Sequence, residues 1–240
     1  MATLQLEDLV KVYDGRKVVD SVSMGLESGS VVGLLGPNGA GKSTTFYMAV
    51  GIVKPDGGRV YLNGEDITDH PMYLRARKGI GYLPQEASVF KKLTVEQNIV
   101  AILELLNVGR RKSGEIAGKL LDELGIKRLA DQRASFLSGG ERRRLEIARS
   151  LATGPSFILL DEPFAGIDPL AIIDIKKIIG HLKRRNIGVL ISDHNVRETL
   201  GVCDYAFILN NGEVIESGPP AKIASSETAR KFYLGKEFRL

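Results

Sequence analysis

The octapeptide Gly36-Pro37-Asn38-Gly39-Ala40-Gly41-Lys42-Ser43 carries the spacing G-x-x-x-x-G-K-[ST]. It follows an apolar strand-like run, Val31–Leu35, and opens a helical segment, which is where a phosphate-binding loop must sit. Glycines let the backbone curl so that its N–H groups converge, and the helix N-terminus adds positive potential where phosphates rest. Lys42 would reach the β- and γ-phosphates, the Ser43 hydroxyl would ligate Mg²⁺, and Thr44 falls in the same first turn. A plain Gly-rich turn between strand and helix leaves the Lys-Ser pair unexplained.

Phe157-Ile158-Leu159-Leu160 ends in Asp161-Glu162. Acids closing a buried strand lie in the crevice where α/β sheets bind ligands. Beside a phosphate loop, Asp161 would hold Mg²⁺ through its water shell and Glu162 would polarise an attacking water. Leu137-Ser138-Gly139-Gly140-Glu141 opens another helix. Ser138 and Glu141 are spaced for an ordinary capping box, which does not require the two glycines. Glycine at the first helical positions lets a ligand approach the free N–H groups closely, so this tip reads as a second anion site in a chain with one phosphate loop.

The elements that must position these groups can be read around them. Strands are expected over Leu4–Val12, Lys17–Leu26, Val31–Leu35 and Arg59–Leu62, the last after the turn Pro55-Asp56-Gly57-Gly58. From Thr94 to about Thr153 the period is helical. Thr94 and Gln97 make a capping box ahead of Val95, Ile99, Ile102, Leu103 and Leu106 on one helix side. Pro169 starts an amphipathic helix with Leu170, Ile173, Ile178, Ile179 and Leu182 inward, ending at the cations Lys183-Arg184-Arg185. Gly188–Ser192 reads as a buried strand, and Tyr205–Leu209 with Val214–Glu216 as a hairpin across Asn211-Gly212. Strands alternating with helices give an α/β fold with an inserted helical arm.

The 240 residues are 43% hydrophobic and 26% charged, an ordinary globular composition. The net charge of +4 does not by itself point to nucleic acid. A single cysteine, Cys203, cannot form an internal disulfide and, with three histidines, argues against structural zinc, so a reducing cytoplasmic setting is expected. No apolar run approaches the ~18 residues of a membrane-spanning helix, and MATLQLEDLV lacks the pattern of a signal peptide.

Taken in order, GPNGAGKS, LSGGE, ILLDEP and the lone His194 after VLISD resemble the ATPase domain of ABC transporters over essentially the whole chain. The resemblance implies a P-loop NTPase core of mixed sheet with an antiparallel β subdomain, residues 1–88 and 155–225. A helical arm over about 89–154 and a tail over about 226–240 complete it. It implies ATP and Mg²⁺ as cofactors and a head-to-tail homodimer, each nucleotide lying between one chain's phosphate loop and the other's LSGGE. It assigns Tyr13 to adenine stacking, Gln85 to a loop that touches Mg²⁺ and joins core to arm, Asp168 to the D-loop, and His194 to sensing the γ-phosphate. Locally, Tyr13 also reads as a strand-end core aromatic and Asp168 as a helix N-cap before Pro169. His70 and His181 read as surface residues.

A finer resemblance is to the ATPases of lipopolysaccharide exporters, carried by LPQEASVF (83–90), LSGGERRR (137–144), DHNVRET (193–199) and YLGKEFRL (233–240). It implies two separate membrane subunits and a peripheral position on the cytoplasmic face of the bacterial inner membrane. Phe90, beside Lys91, would line the groove that receives a helix of the membrane subunit, or be a satellite core residue. The tail, with Phe238 and Arg239, reads as a dimer or partner contact, or as an end tucked onto its own domain. Branched-chain amino-acid importer ATPases resemble the chain in length and most motifs. A soluble ABC ATPase acting on DNA or ribosomes is the alternative of another class; its expected insertions and second nucleotide domain are not in the sequence.

Overall fold

The computed structural model describes residues 1–86, 88–235 and 237–238. Its first two strands, β1 (Thr3–Tyr13) and β2 (Arg16–Glu27), bury Leu4, Leu6 and Leu9 and Val19, Val22, Met24 and Leu26, an alternation that is interrupted at Asp8 and Ser21, both at positive φ. After β3 (Val31–Leu35) comes α1 (Lys42–Val50), then β4 (Gly57–Leu62) and the short β5 (Glu65–Asp66). β2-β1-β4-β5 form an antiparallel sheet. The chain continues through α2 (Met72–Arg77) and β6 (Ile80–Leu83) into the arm: α3 (Val95–Leu105), α4 (Arg110–Glu123) and α5 (Gly139–Leu151). It returns through β7 (Phe157–Asp161), α6 (Pro169–Arg184), β8 (Gly188–Ser192), α7 (Val196–Leu200) and the hairpin β9 (Tyr205–Asn210) and β10 (Glu213–Gly218). α8 (Pro220–Ser225) and α9 (Glu227–Ala229) lead to the tail.

The second sheet has the order β10-β9-β3-β8-β7-β6, parallel except for β10. All five residues of β3, β7 and β8 are buried, because both faces are covered. The strand period of two divides them between two cores. Val32, Leu34, Phe157, Leu159 and Leu190 join Phe46, Met48 and Ala49 of α1 and the inner face of the antiparallel sheet. Val31, Ile158, Leu160, Val189 and Ile191 face α6 and the arm, whose residues belong to that same continuous cluster. The phosphate-loop helix is thereby held between two sheets.

Three sequence expectations change. Leu170 and Ile173 are not inward: they are 77% and 48% exposed, and the buried face of α6 is Ile175, Ile178, Ile179 and Leu182. A helix following a parallel strand starts at the carboxyl edge of the sheet, so its first turn has no strand beneath it. Leu106 lies past the last turn of α3 and is exposed. In the tail, Tyr233, Leu234 and Phe238 pack on the cluster of Leu35, Leu200, Ala206, Ile208, Ile223 and Ala229, as the alternative of an end tucked onto its own domain expects. Arg239 lies outside the described residues. His181 is half-buried and paired with Glu123, which also accepts from Arg185 at 2.8 Å.

Candidate nucleotide site

The chemistry-bearing residues converge at the carboxyl ends of β3, β7 and β8. The loop after β3 is forced into shape by its surroundings. Gly36 has φ +148° and a Cβ there would meet Leu209 O at 2.2 Å; Gly41 has φ +99° and a Cβ would meet Val18 O at 2.4 Å. Only glycine fits either position. The loop is pinned from outside by Gly212, whose N–H donates to Ala40 O at 3.0 Å while its carbonyl accepts from Asp20. Pro37, Asn38 and Gly39 form the outer rim, Asn38 and Gly39 exposed.

Lys42 is buried, and its ammonium donates to Gly36 O (2.7 Å) and Pro37 O (2.9 Å), gripping its own loop. Burial pulls its pKa below the ordinary lysine value, against the charges of Glu162, Asp193 and Asp161. Ser43 is exposed and Thr44 half-exposed at the head of α1, their hydroxyls free of hydrogen bonds to other described residues.

Asp161 closes β7 opposite Ser192 of β8. It is buried, accepts from the Tyr82 hydroxyl at 3.3 Å, and burial raises its pKa above the usual aspartate value. The next residue turns sharply: Glu162 has φ +45°, a region costly to a side-chain-bearing residue, and its N–H is locked to Ser192 O at 2.7 Å. This aims its carboxylate at His194, whose Nδ1 lies 3.5 Å from Glu162 Oε2 and 3.6 Å from Asp193 Oδ1. Asp193, fully buried, accepts from Phe164 N and Asn195 N, both at 2.8 Å, and so ties the two strand-end loops together. Burial raises its pKa as well. Asp193 and Tyr82 were not singled out from sequence, although an acid ending the buried run VLIS is the same signal that marked Asp161.

Asp168 caps α6, accepting from Leu170 N (2.9 Å) and Ala171 N (3.0 Å). Tyr13, at the end of β1, is 45% exposed with Lys11 Nζ 5.5 Å from its ring centre, so it is not a core aromatic and offers a face to solvent. At the head of α5 the capping box is complete: Ser138 Oγ accepts from Glu141 N, and Glu141 Oε2 accepts from Ser138 N at 3.1 Å. Backbone and hydroxyl donors of Ser138 hold the Glu141 carboxyl below its usual pKa. Around Gly139 and Gly140, however, a Cβ would meet nothing. Both line a cavity of about 180 Å³ with Gln85, the three arginines 142–144 and Glu162, and no phosphate-loop residue borders it. Within one chain the helix tip and the phosphate loop are therefore separate.

Phe90 is exposed, its ring covered by the Arg149 guanidinium at 4.4 Å and its backbone clamped by Asn98. Lys91 beside it is exposed. Arg149 also lines a groove between core and arm with Met72, Tyr82, Leu83 and Ile102.

A P-loop, two acids on the adjacent strand ends and a glycine-opened second helix tip define a nucleotide-hydrolysing cassette, and residues 19–165 match the ABC transporter family. The chain belongs to that family and is an ATP-hydrolysing member of it. It is 53% identical to the lipopolysaccharide export system ATP-binding protein LptB of Escherichia coli K12 over 100% of both chains, and 53% identical to LptB of Haemophilus influenzae over the same share. A probable ABC transporter ATP-binding protein of Azorhizobium caulinodans is 56% identical over 97% of this chain and 83% of that one. The ADP conformation of an ATP-binding cassette of an ABC transporter superposes with a TM-score of 0.88 at 32% identity, covering 98% of this chain and 100% of the other. No described helix is long and apolar enough to cross a membrane.

Proposed function

We propose that this chain is the ATPase subunit of a lipopolysaccharide exporter, working as a head-to-tail pair on the cytoplasmic face of the bacterial inner membrane beneath separate membrane subunits. Full-length identity to two proteins named for lipopolysaccharide export supports the cargo. The observation that carries the paired state is the helix tip: among the described residues nothing lies within 4 Å of where a Cβ of Gly139 or Gly140 would be, which leaves room for a group from outside. A second chain's triphosphate suits it, meeting free N–H groups and a helix dipole.

In this reading the phosphate-loop amides and Lys42 hold the β- and γ-phosphates and Tyr13 stacks on adenine. Glu162 takes a proton from the attacking water, and His194 holds the γ-phosphate side of the site. The oxygen donors at the site fit a hard cation: the exposed Ser43 and Gln85 and, through water, Asp161 at the end of β7 would hold Mg²⁺ beside the phosphates. When bound it neutralises charge on the transferred phosphoryl oxygens. Asp168 and the exposed Leu170 and Ile173 border the partner chain. Phe90 and Lys91 edge the groove that takes a helix of the membrane subunit.

Light scattering of Glu162→Gln in saturating Mg-ATP tests the pair: a dimer is expected, and a monomer even at high protein concentration overturns it. Purification from membranes tests the cargo, because co-eluting amino-acid permease subunits in place of lipid-exporter subunits would reassign it.

A further inference from the structure

The far end of the phosphate-loop helix holds a buried, unpaired cation. Arg75 of α2 is 1% exposed. Its Nη1 donates to Met48 O (2.7 Å) and Ala49 O (2.8 Å), two carbonyls of the last turn of α1. Nη2 donates to Thr68 O at 2.9 Å and Nε to His70 O at 2.8 Å. All four acceptors are neutral carbonyls, and among the described residues no carboxylate forms an ion pair with this guanidinium. Asp66, the acid whose field reaches it, is exposed and engaged by Arg59 and Thr68. Burial lowers the pKa of Arg75 to about 10, which leaves it charged at neutral pH.

A buried charge without a counter-charge is costly, and an uncharged cap would satisfy helix-end carbonyls at less expense. Gly51 is shaped around it as well: a Cβ there would meet Arg75 Nε at 2.7 Å. The charge lies directly behind the helix whose N-terminus faces the phosphate site. Nine residues of helix span about 13 Å, and Phe46, Met48, Ala49 and both sheets keep water out of the space between. A cation at the C-terminal end cancels the negative pole of the helix and leaves the positive pole uncompensated.

We propose that Arg75 is a positioning residue for nucleotide charge: it fixes the last turn of α1 and sets a permanent positive charge behind the phosphate loop, favouring the more highly charged nucleotide. This rests on the loop binding nucleotide as described above. At about 15 Å, with an effective dielectric near 20 and partial salt screening, one unit of charge changes the affinity for another roughly two- to threefold. Neutralising Arg75 therefore weakens binding in a graded way, about four- to ninefold for Mg-ATP and two- to threefold for Mg-ADP, less at high salt.

The test is equilibrium binding of Mg-ATP and Mg-ADP to the full chain at low and high KCl, with melting temperatures recorded. For Arg75→Gln the expected result is the graded, salt-sensitive loss. Arg75→Lys, which keeps the charge and loses the fork of hydrogen bonds, should melt lower yet keep the ATP-to-ADP affinity ratio. Equal losses for both nucleotides, no loss, or a lysine variant as impaired as the glutamine one would each overturn the proposal and leave an ordinary helix cap. Should Arg75→Gln fail to fold, Arg75→Met, which keeps the stem and removes the charge, takes its place: a larger loss for ATP than for ADP supports the proposal, and equal losses or none overturn it. Wild-type chain that binds neither nucleotide would refute the nucleotide site itself, a separate outcome.

Discussion

Two glycine-bearing helix starts in this molecule are alike in sequence and opposite in physics. At the head of α1 Gly36 and Gly41 are demanded by the chain: carbonyls of Leu209 and Val18 stand where their Cβ atoms would go. At the head of α5 they are demanded by nothing within reach, and side chains would point into open space. The first helix start is complete in one chain, with Lys42, Asp161, Glu162, Asp193 and His194 gathered around it. The second has a capping box and an empty approach. The first is closed in by its own chain, and the second is open at Gly139 and Gly140, the opening on which the proposed pairing rests.

The largest expected effect tests whether the first region is the hydrolytic one. Glu162→Gln removes the half-buried carboxylate that faces His194 and also lines the cavity at the α5 tip, and phosphate release should fall by about 10²–10⁴ with ATP binding retained. Near-normal turnover would mean that water is activated elsewhere and the convergence at the strand ends is structural. Next comes the helix tip. In Gly139→Val the new Cβ has no described atom within 4 Å outside its own helix, so its melting temperature should stay close to wild type while ATP-driven pairing is blocked and turnover falls by about 10², the scale for losing preorganised donors to a reacting phosphate. A folded variant that still pairs and turns over would erase the contrast drawn here.

Gly41→Ala sharpens the comparison from the other side. With φ +99° and Val18 O only 2.4 Å from the new Cβ, the loop must move, and about 1–3 kcal/mol of stability should be lost whether or not nucleotide is present. Chemical denaturation of the two glycine variants side by side checks this: the penalty belongs to Gly41→Ala and not to Gly139→Val.

Local signals made much of this legible in advance. The strand, loop and helix around GPNGAGKS, the buried strand ending in Asp161, both capping boxes and the hairpin across Asn211-Gly212 are written in residues a few positions apart, and the structure bears out each of these elements. What could not be read depends on which surface each element meets. Leu170 and Ile173 share the apolar pattern of Ile178 and Ile179, and periodicity cannot say that α6 begins beyond the edge of the sheet. The apolar tail could equally dock inward or outward until the β9 cluster was seen beneath it. Asp193 and Arg75 show the same limit. An acid or a cation in sequence carries no mark of being fully buried, and burial is what gives both their roles.

The smallest expected effect separates the two duties of the α5 tip. Ser138 Oγ accepts from Glu141 N, and its hydroxyl donates to Glu141 Oε2 at 2.9 Å, so Ser138→Ala loses a cap worth about 1 kcal/mol. In a chain of this length that lowers the melting temperature by roughly 2–4 °C. The loss belongs to the free chain and should be the same with and without nucleotide if capping is the only duty. If the tip also closes on a partner's triphosphate, Mg-ATP should stabilise the Ser138→Ala, Glu162→Gln double variant less than Glu162→Gln alone, because the missing hydroxyl is then counted twice. Thermal melts of the pair in saturating Mg-ATP read the difference directly, and equal nucleotide-induced shifts would confine Ser138 to holding its own helix.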